Sequence, residues 1–210
     1  MKQLLIIAII SISAFACGKD DSSPDAPNGK PSVLIPLAVG NTWYYESYYV
    51  HSLTPTDTER YDSYIEKISR KEKIAGEDWY YITADYNNYA EFAPITNRSK
   101  GVYGYEVLDG YPFTLIYKYP TFVGDRPKDQ YFDRETTSID AKIKVAAGEF
   151  VCVKYEQHLV YEQYDDIGTI SYYCPDVGLI LISHIVEITG GGAFLDTTWS
   201  HSALTKYVLK

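Results

Sequence analysis

Short windows dense in apolar, β-branched and aromatic residues, bounded by Gly, Pro, Asn and Asp, recur along most of this chain. That pattern is the signature of β-strands, and it leaves room for few or short helices. The signal is densest between residues 142 and 188. Three long strands are predicted there, at 149–163, 169–174 and 178–187, with a polar break at Asp165, Asp166, Ile167 and Gly168. Short turns between consecutive strands make them antiparallel. A meander of this kind must cover a face, so the rest of the chain is expected to extend the same sheet or lay a second layer over it.

Ahead of the meander, strands are expected at 43–50, 61–74, 79–86, 91–96, 102–107, 113–119 and 131–139. The second and third form a hairpin about a three-residue loop, Ala75, Gly76 and Glu77, in which the glycine takes the unusual dihedral. Asn97, Arg98 and Ser99 match a glycosylation triplet and read as a turn. Pro120 stops a strand because it cannot donate to a ladder. After the meander, Gly190, Gly191 and Gly192 turn the chain into strands at 194–201 and 204–209. Within 43–50, Trp43, Tyr45 and Tyr49 share one face and Tyr44, Tyr48 and Val50 the other. Both faces carry rings, so alternation alone leaves the core side open.

Composition adds one feature, 22 tyrosines among 210 residues. Tyrosine pairs an apolar ring with a hydroxyl that wants a partner, which suits strands whose rings lie on a sheet and whose tips reach water. The formal charge of −9 argues against nucleic acid as a partner, because each phosphate contact draws on Lys or Arg.

The N-terminus departs from the strand pattern. Residues 1–16 carry one basic residue and an apolar run too short to cross a bilayer, so they read as a secretory signal. Ala14, Phe15, Ala16 and Cys17 resemble the lipobox of bacterial lipoproteins, which implies cleavage before Cys17, lipid attachment to its thiol and membrane anchoring. The alternative is ordinary cleavage near Ala16, leaving a free thiol. Lys19, Asp20 and Asp21 resemble the signal that sends some lipoproteins to the outer face of the outer membrane, with the periplasmic face as the alternative. Residues 17–32 are rich in Asp, Ser, Pro and Gly and read as a flexible acidic tether ahead of one β domain, 33–210.

Candidate chemistry is sparse. No serine lies in a GxSxG elbow, and His51, His158, His184 and His201 show neither HxxxH spacing nor a nearby cysteine pair. Ser183 with His184, and Ser200 with His201, are sequence neighbours that a strand points to opposite faces. Neither an enzyme nor a cofactor or metal is expected. Cys152 and Cys174 raise the question of a disulfide. With the intervening turn centred between Asp166 and Ile167, Cys174 faces Leu159 and Cys152 stands ~23 Å further along. A bridge needs Cα atoms within about 7 Å, so two reduced, buried thiols are expected. The rings of Trp43, Tyr45, Trp79, Tyr81, Tyr117 and Trp199 are the candidate ligand contacts, able to stack on sugars or enclose an acyl chain if they line a concave face. Their simpler reading is core and cross-strand packing.

Five stretches, PLAVGNTWYY at 36–45, ITNRSKGVYGY at 95–105, LIYKYPTFVG at 115–124, AAGEFVCVKY at 146–155 and YYCPDVGLI at 172–180, together resemble a group of bacterial outer-membrane lipoproteins of unknown function. That group is similar in pattern to lipoprotein-localisation factors of the LolA and LolB type. The resemblance implies an all-β fold in which an antiparallel sheet curves into a half-barrel around an apolar cavity. The expected function is non-catalytic binding of a lipid or other apolar molecule in that concavity. The alternative is an accessory surface protein that meets a partner or a glycan through an aromatic patch or an edge strand.

Overall fold

The computed structural model of the protein describes residues 32–51, 58–85, 90–105, 113–127, 132–159, 167–191 and 194–210. The expected signal sequence, Cys17 and most of the expected tether lie outside the described residues, as do the side chain of His158 and Gly192.

All the described regular structure is strand: β1 (Thr42–His51), β2 (Thr58–Ile74), β3 (Glu77–Ala84), β4 (Ala90–Glu91), β5 (Ile95–Arg98), β6 (Gly101–Gly104), β7 (Thr114–Lys118), β8 (Phe132–Val145), β9 (Gly148–Leu159), β10 (Ile167–Cys174), β11 (Gly178–Gly191) and β12 (Phe194–Val208). They form one sheet in the order β7-β6-β5-β3-β2-β1-β12-β11-β10-β9-β8, with β4 added to β3. Every pairing is antiparallel. The expected half-barrel is therefore met by an open, curved sheet.

Curvature follows from connectivity. Strands β7 and β8 are consecutive in sequence yet occupy the two edges. A flat sheet of eleven strands would hold those edges ~48 Å apart. The thirteen residues 119–131 could reach that far only if fully extended. Residues 119–127 instead fold back along the β8 edge around the buried side chain of Asp125. Its carboxylate accepts the Lys118 ammonium at 2.8 Å, the Thr121 hydroxyl at 3.0 Å and the Phe122 amide at 3.1 Å. Gly124 donates to the Thr136 carbonyl at 2.8 Å, and the Thr136 amide donates to Asp125 at 2.9 Å, so the loop pairs with the β8 edge. On the β7 edge, the Ile116 carbonyl accepts the Arg134 guanidinium, and the Lys118 carbonyl accepts the Tyr155 hydroxyl at 2.8 Å. The opening is bridged by side chains where strand hydrogen bonds stop.

Inside the curve lies the core, with Trp43, Tyr45, Tyr64, Ile68, Tyr155, Ile180 and Leu204 buried. The segment before β1 floors it. Leu34 and Ile35 are buried, and Asn97 Nδ2 donates to the Ile35 carbonyl at 2.8 Å. Asp176 grips the other side: its Oδ1 accepts the Val33 amide at 3.0 Å, its Oδ2 the Ser32 hydroxyl at 2.8 Å, and its own amide donates to Val33 at 2.7 Å. Asn41, fully buried, ties this segment to the C-terminus by donating to the Pro36 carbonyl and accepting the Lys210 amide. Trp43 lies over Gly178, where an added Cβ would sit 3.2 Å from the indole nitrogen, and donates to the Val177 carbonyl at 2.7 Å. Glycine is needed there twice over, for that approach and for a φ of 108°.

Three expectations change. The β2–β3 turn contains two residues, Ala75 and Gly76, both at positive φ (50° and 87°), and Glu77 already belongs to β3. That is the type I′ geometry whose twist matches the flanking strands. Asn97 and Arg98 are strand residues, since the inward Asn97 is held by Ile35. The two final strands are one, β12, continuous through Ser202 and Ala203.

Asp176→Ala removes both floor contacts of the carboxylate and, at a φ of 64°, the short polar side chain that lets Asp and Asn adopt this backbone. A loss of about 2 kcal/mol is expected in urea unfolding. Asp176→Asn, which tolerates that backbone and keeps an acceptor, should lose less.

Candidate functional site

The three-strand row β3-β2-β1 sets the inner face. In β2 the alternating residues Tyr64, Glu66 and Ile68 point inward, because Tyr64 is paired with the buried Tyr45 and Glu66 with the buried Trp43. On the other side Glu66 is paired with Ala84 and Ile68 with Ile82. The β6–β7 ladder carries a bulge at Ile116, which turns the consecutive side chains of Ile116 and Tyr117 toward the same space. A second bulge between Tyr172 and Tyr173 adjusts β11 so that Leu179 and Tyr173 meet there as well.

These elements enclose a cavity of about 460 Å³ whose lining is almost wholly apolar. Ile35 of the floor segment, Ile82, Ile95, Val102, Leu179 and Ile182 supply its aliphatic surface. Trp43, Tyr45, Tyr117 and Tyr173 supply the rings. Phe92, 43% exposed, and Ala93 are the exposed members of the lining and mark where the cavity meets solvent. The polar tips of Trp43 and Tyr45 are committed elsewhere. Trp43 Nε1 bonds Val177, Tyr45 donates to the Leu179 carbonyl at 3.1 Å, and Tyr117 and Tyr173 pack on each other with ring centroids 4.6 Å apart.

Glu66 is different. No hydrogen bond or ion pair to its carboxyl is found among the described residues, and no Lys, Arg or His lines the cavity. Burial in these apolar walls pushes its carboxyl up to about 7, because the charged form loses water and gains nothing in return. Sequence reasoning passed over it as one acid among many. The available signal was phase, since Glu66 takes the position that Tyr64 and Ile68 mark as inward.

Of the six candidate rings, Trp43, Tyr45 and Tyr117 are brought together in the cavity, and Trp79, Tyr81 and Trp199 are not. Strand parity explains the division. In β3 the cavity side is held by Ile82, so Trp79 and Tyr81 face the other way. Trp79 is buried there, stacked on Phe113 at 5.3 Å, edge-on to Tyr105 at 5.7 Å and beneath the Arg98 guanidinium at 5.5 Å. Tyr81 lies under Arg70 and donates to Glu72 at 2.9 Å. Trp199 is out of phase with Ser200 and Ser202, which follow the inward row of Ser47.

The cysteine geometry is corrected as well. Pairing of Tyr173 with Val153 and of Tyr172 with Lys154 puts Cys174 beside Cys152 on adjacent strands. The reason is the connection: β9 ends at Leu159 and β10 begins at Ile167, so residues 160–166 replace the tight turn assumed at Asp166 and Ile167. Both thiols are nonetheless free, with Cys152 buried, and burial pushes the Cys152 thiol up to about 12.

Serine and histidine do meet, across strands. Ser183 Oγ lies 2.8 Å from His201 Nδ1, and the imidazole stacks on Tyr48 at 5.4 Å. Ser183 is buried, which leaves its hydroxyl no open face toward a substrate. His184 with Thr169 (2.9 Å) and His51 with Thr198 (3.0 Å) repeat the same imidazole–hydroxyl ladder contact. No group of three His, Cys, Asp or Glu able to hold a metal occurs among the described residues.

The sequence matches no family model and no curated protein. Two solved structures resemble the strand layout. One, from Bacteroides fragilis, is described as an exported protein with a YmcC-like fold; it is 12% identical, with 85% of this chain and 100% of that chain covered and a TM-score of 0.46. The other, from Parabacteroides distasonis, is described as a lipoprotein; it is 10% identical, with 84% and 99% covered and a TM-score of 0.43. At these scores neither one informs the cavity.

The raised carboxyl gives a pH signature. Folding binds the Glu66 proton more tightly than the unfolded chain does, so its contribution to stability is full below about pH 4.5 and is lost as the pH rises through about 7. Glu66→Gln should therefore gain about 2 to 3 kcal/mol on the native protein between those limits. Urea unfolding of both proteins at pH 4.5, 6 and 8 measures the difference.

Proposed function

We propose that this protein is an exported, lipid-anchored component of the bacterial outer membrane that binds an apolar or lipid-like ligand in its concave cavity without transforming it. The observation that carries this reading is the cavity itself. Its volume of about 460 Å³ falls within the ~300–1,000 Å³ of small-molecule sites. Its walls are apolar, and the polar tips of Trp43 and Tyr45, which could have made it wet, are turned into backbone. A space of that size left among Ile, Leu and aromatic side chains forfeits packing that a folded core would otherwise gain. An apolar occupant restores it. Anchoring rests on the lipobox-like residues ending at Cys17, and the acidic residues after it suit display at the outer face.

The edges of the sheet favour the cavity over edge-strand docking. The β7 edge is taken by Arg134 and Tyr155, and the start of β8 by the loop around Asp125.

Protein purified from membranes in mild detergent should yield a stoichiometric lipid or apolar molecule on solvent extraction and mass spectrometry. Delipidated protein should bind an apolar fluorophore at micromolar concentration. Ala93→Trp, placed at the exposed mouth, should weaken that binding about tenfold or more, corresponding to ~1.4 kcal/mol. Failure to extract a molecule together with failure to bind the fluorophore overturns the reading.

A further inference from the structure

The proposed function leaves the polar end of the ligand open, and Glu66 bears on it. Its side chain enters the cavity from the middle of β2, between Trp43 on β1 and Ala84 on β3. Ala84 is the smallest of these neighbours and is itself fully buried, and its methyl group offers the carboxyl no hydrogen bond. A buried carboxyl with a structural task is paired or capped, as Asp125 is by Lys118, Thr121 and Phe122 in this same molecule. Glu66 has no such partner among the described residues and lines an open space.

Resting on the binding role proposed above, we infer that Glu66 is the head-group recognition residue of the cavity, and that its ligand is a single-headed amphiphile presenting a protonated amine. Among the described residues the lining supplies no cation that could receive a carboxylate or phosphate, so an anionic head would be buried unpaired beside a like charge. A hydroxyl head satisfies one hydrogen bond. An ammonium satisfies the carboxylate with a charge-assisted one, in surroundings where such a bond is at its strongest. The apolar tail then takes the aliphatic and aromatic walls.

The other titratable groups facing this space are the phenols of Tyr45, Tyr117 and Tyr173. Burial holds the Tyr173 phenol well above its usual range, and alkylammonium ions titrate near 10, so the change in charge between pH 5.5 and 8 is assigned to Glu66, whose carboxyl is pushed up to about 7. Amine binding should therefore strengthen with pH across that window, while binding of an alcohol should not.

The test compares three probes of equal chain length, dodecylamine, dodecanol and dodecanoate, displacing an apolar fluorophore below their micellar concentrations. Delipidated wild type, Glu66→Gln and Ala93→Trp are compared at pH 5.5 and 8. Wild type at pH 8 should prefer dodecylamine to dodecanoate by about tenfold or more, and that preference should shrink at pH 5.5. Glu66→Gln should hold dodecanol within about threefold of wild type and lose both the amine preference and its pH dependence. It alters the net charge by a single unit, so general attraction of amines to an acidic protein would survive it. Equal binding of amine and carboxylate by wild type, an amine preference that persists in Glu66→Gln, or amine binding that Ala93→Trp leaves undiminished overturns the inference and leaves the binding role standing. Failure of wild type to bind any of the three overturns both.

Discussion

The carbonyls of Ile116 and Lys118 lie on a strand edge that no other strand pairs, and they take their hydrogen bonds from Arg134 and Tyr155. Those two bonds are the constraint from which the rest of the fold follows. Unpaired buried carbonyls are expensive, and an exposed edge invites another chain. Both problems are met by curling the sheet until β8 and β9 present side chains to β7. The Arg134 guanidinium does a second service by covering the Tyr117 ring at 4.4 Å. Tyr117 in turn packs against Tyr155 and Tyr173 at 5.1 and 4.6 Å, so the contact that joins the edges is also one wall of the cavity.

An open sheet curved this way, its edges bridged by side chains, leaves space that a fully laddered barrel would not need to fill. Part of that space is filled by the floor segment and by the Tyr45–Tyr64 stack, with ring centroids 4.9 Å apart. Part stays open, where bulges at Ile116 and near Leu179 bend the flanking strands. One ionisable side chain in such a space is a costly choice for stability alone. Its cost is comparable to that of a lost core contact, and a hydrophobe at position 66 would avoid it.

Much of this fold was legible in the sequence because alternation and turn chemistry act locally. The strands β1, β3 and β7 and the stop at Pro120 follow from residues within each window. The five stretches singled out by their pattern also prove to be joints. Trp43 meets Gly178, Asn97 holds Ile35, and the Tyr155 hydroxyl reaches Lys118, each linking one stretch with another or with the residues beside it. What could not be read was register across distance. Placing the β9–β10 turn at Asp166 and Ile167 moved Cys174 seven positions from its neighbour, since nothing local marks that β9 ends at Leu159 and that Ile167 already belongs to β10. The inward face was equally silent. Rings stand on both sides of β1 and β3, and only the pairing of β1 with β2 and β12 decides that Trp43 faces in while β3 turns Trp79 away.

The floor segment has a mechanical implication. Whatever load travels along the chain toward Ser32 arrives at Val33 and Asp176, where three hydrogen bonds resist it side by side. Immediately behind them Leu34 and Ile35 seal the base of the chamber. Tension on the chain ahead of Ser32 and the shape of the cavity are thus joined through five residues, so that a pull there would be felt first at the base of the cavity.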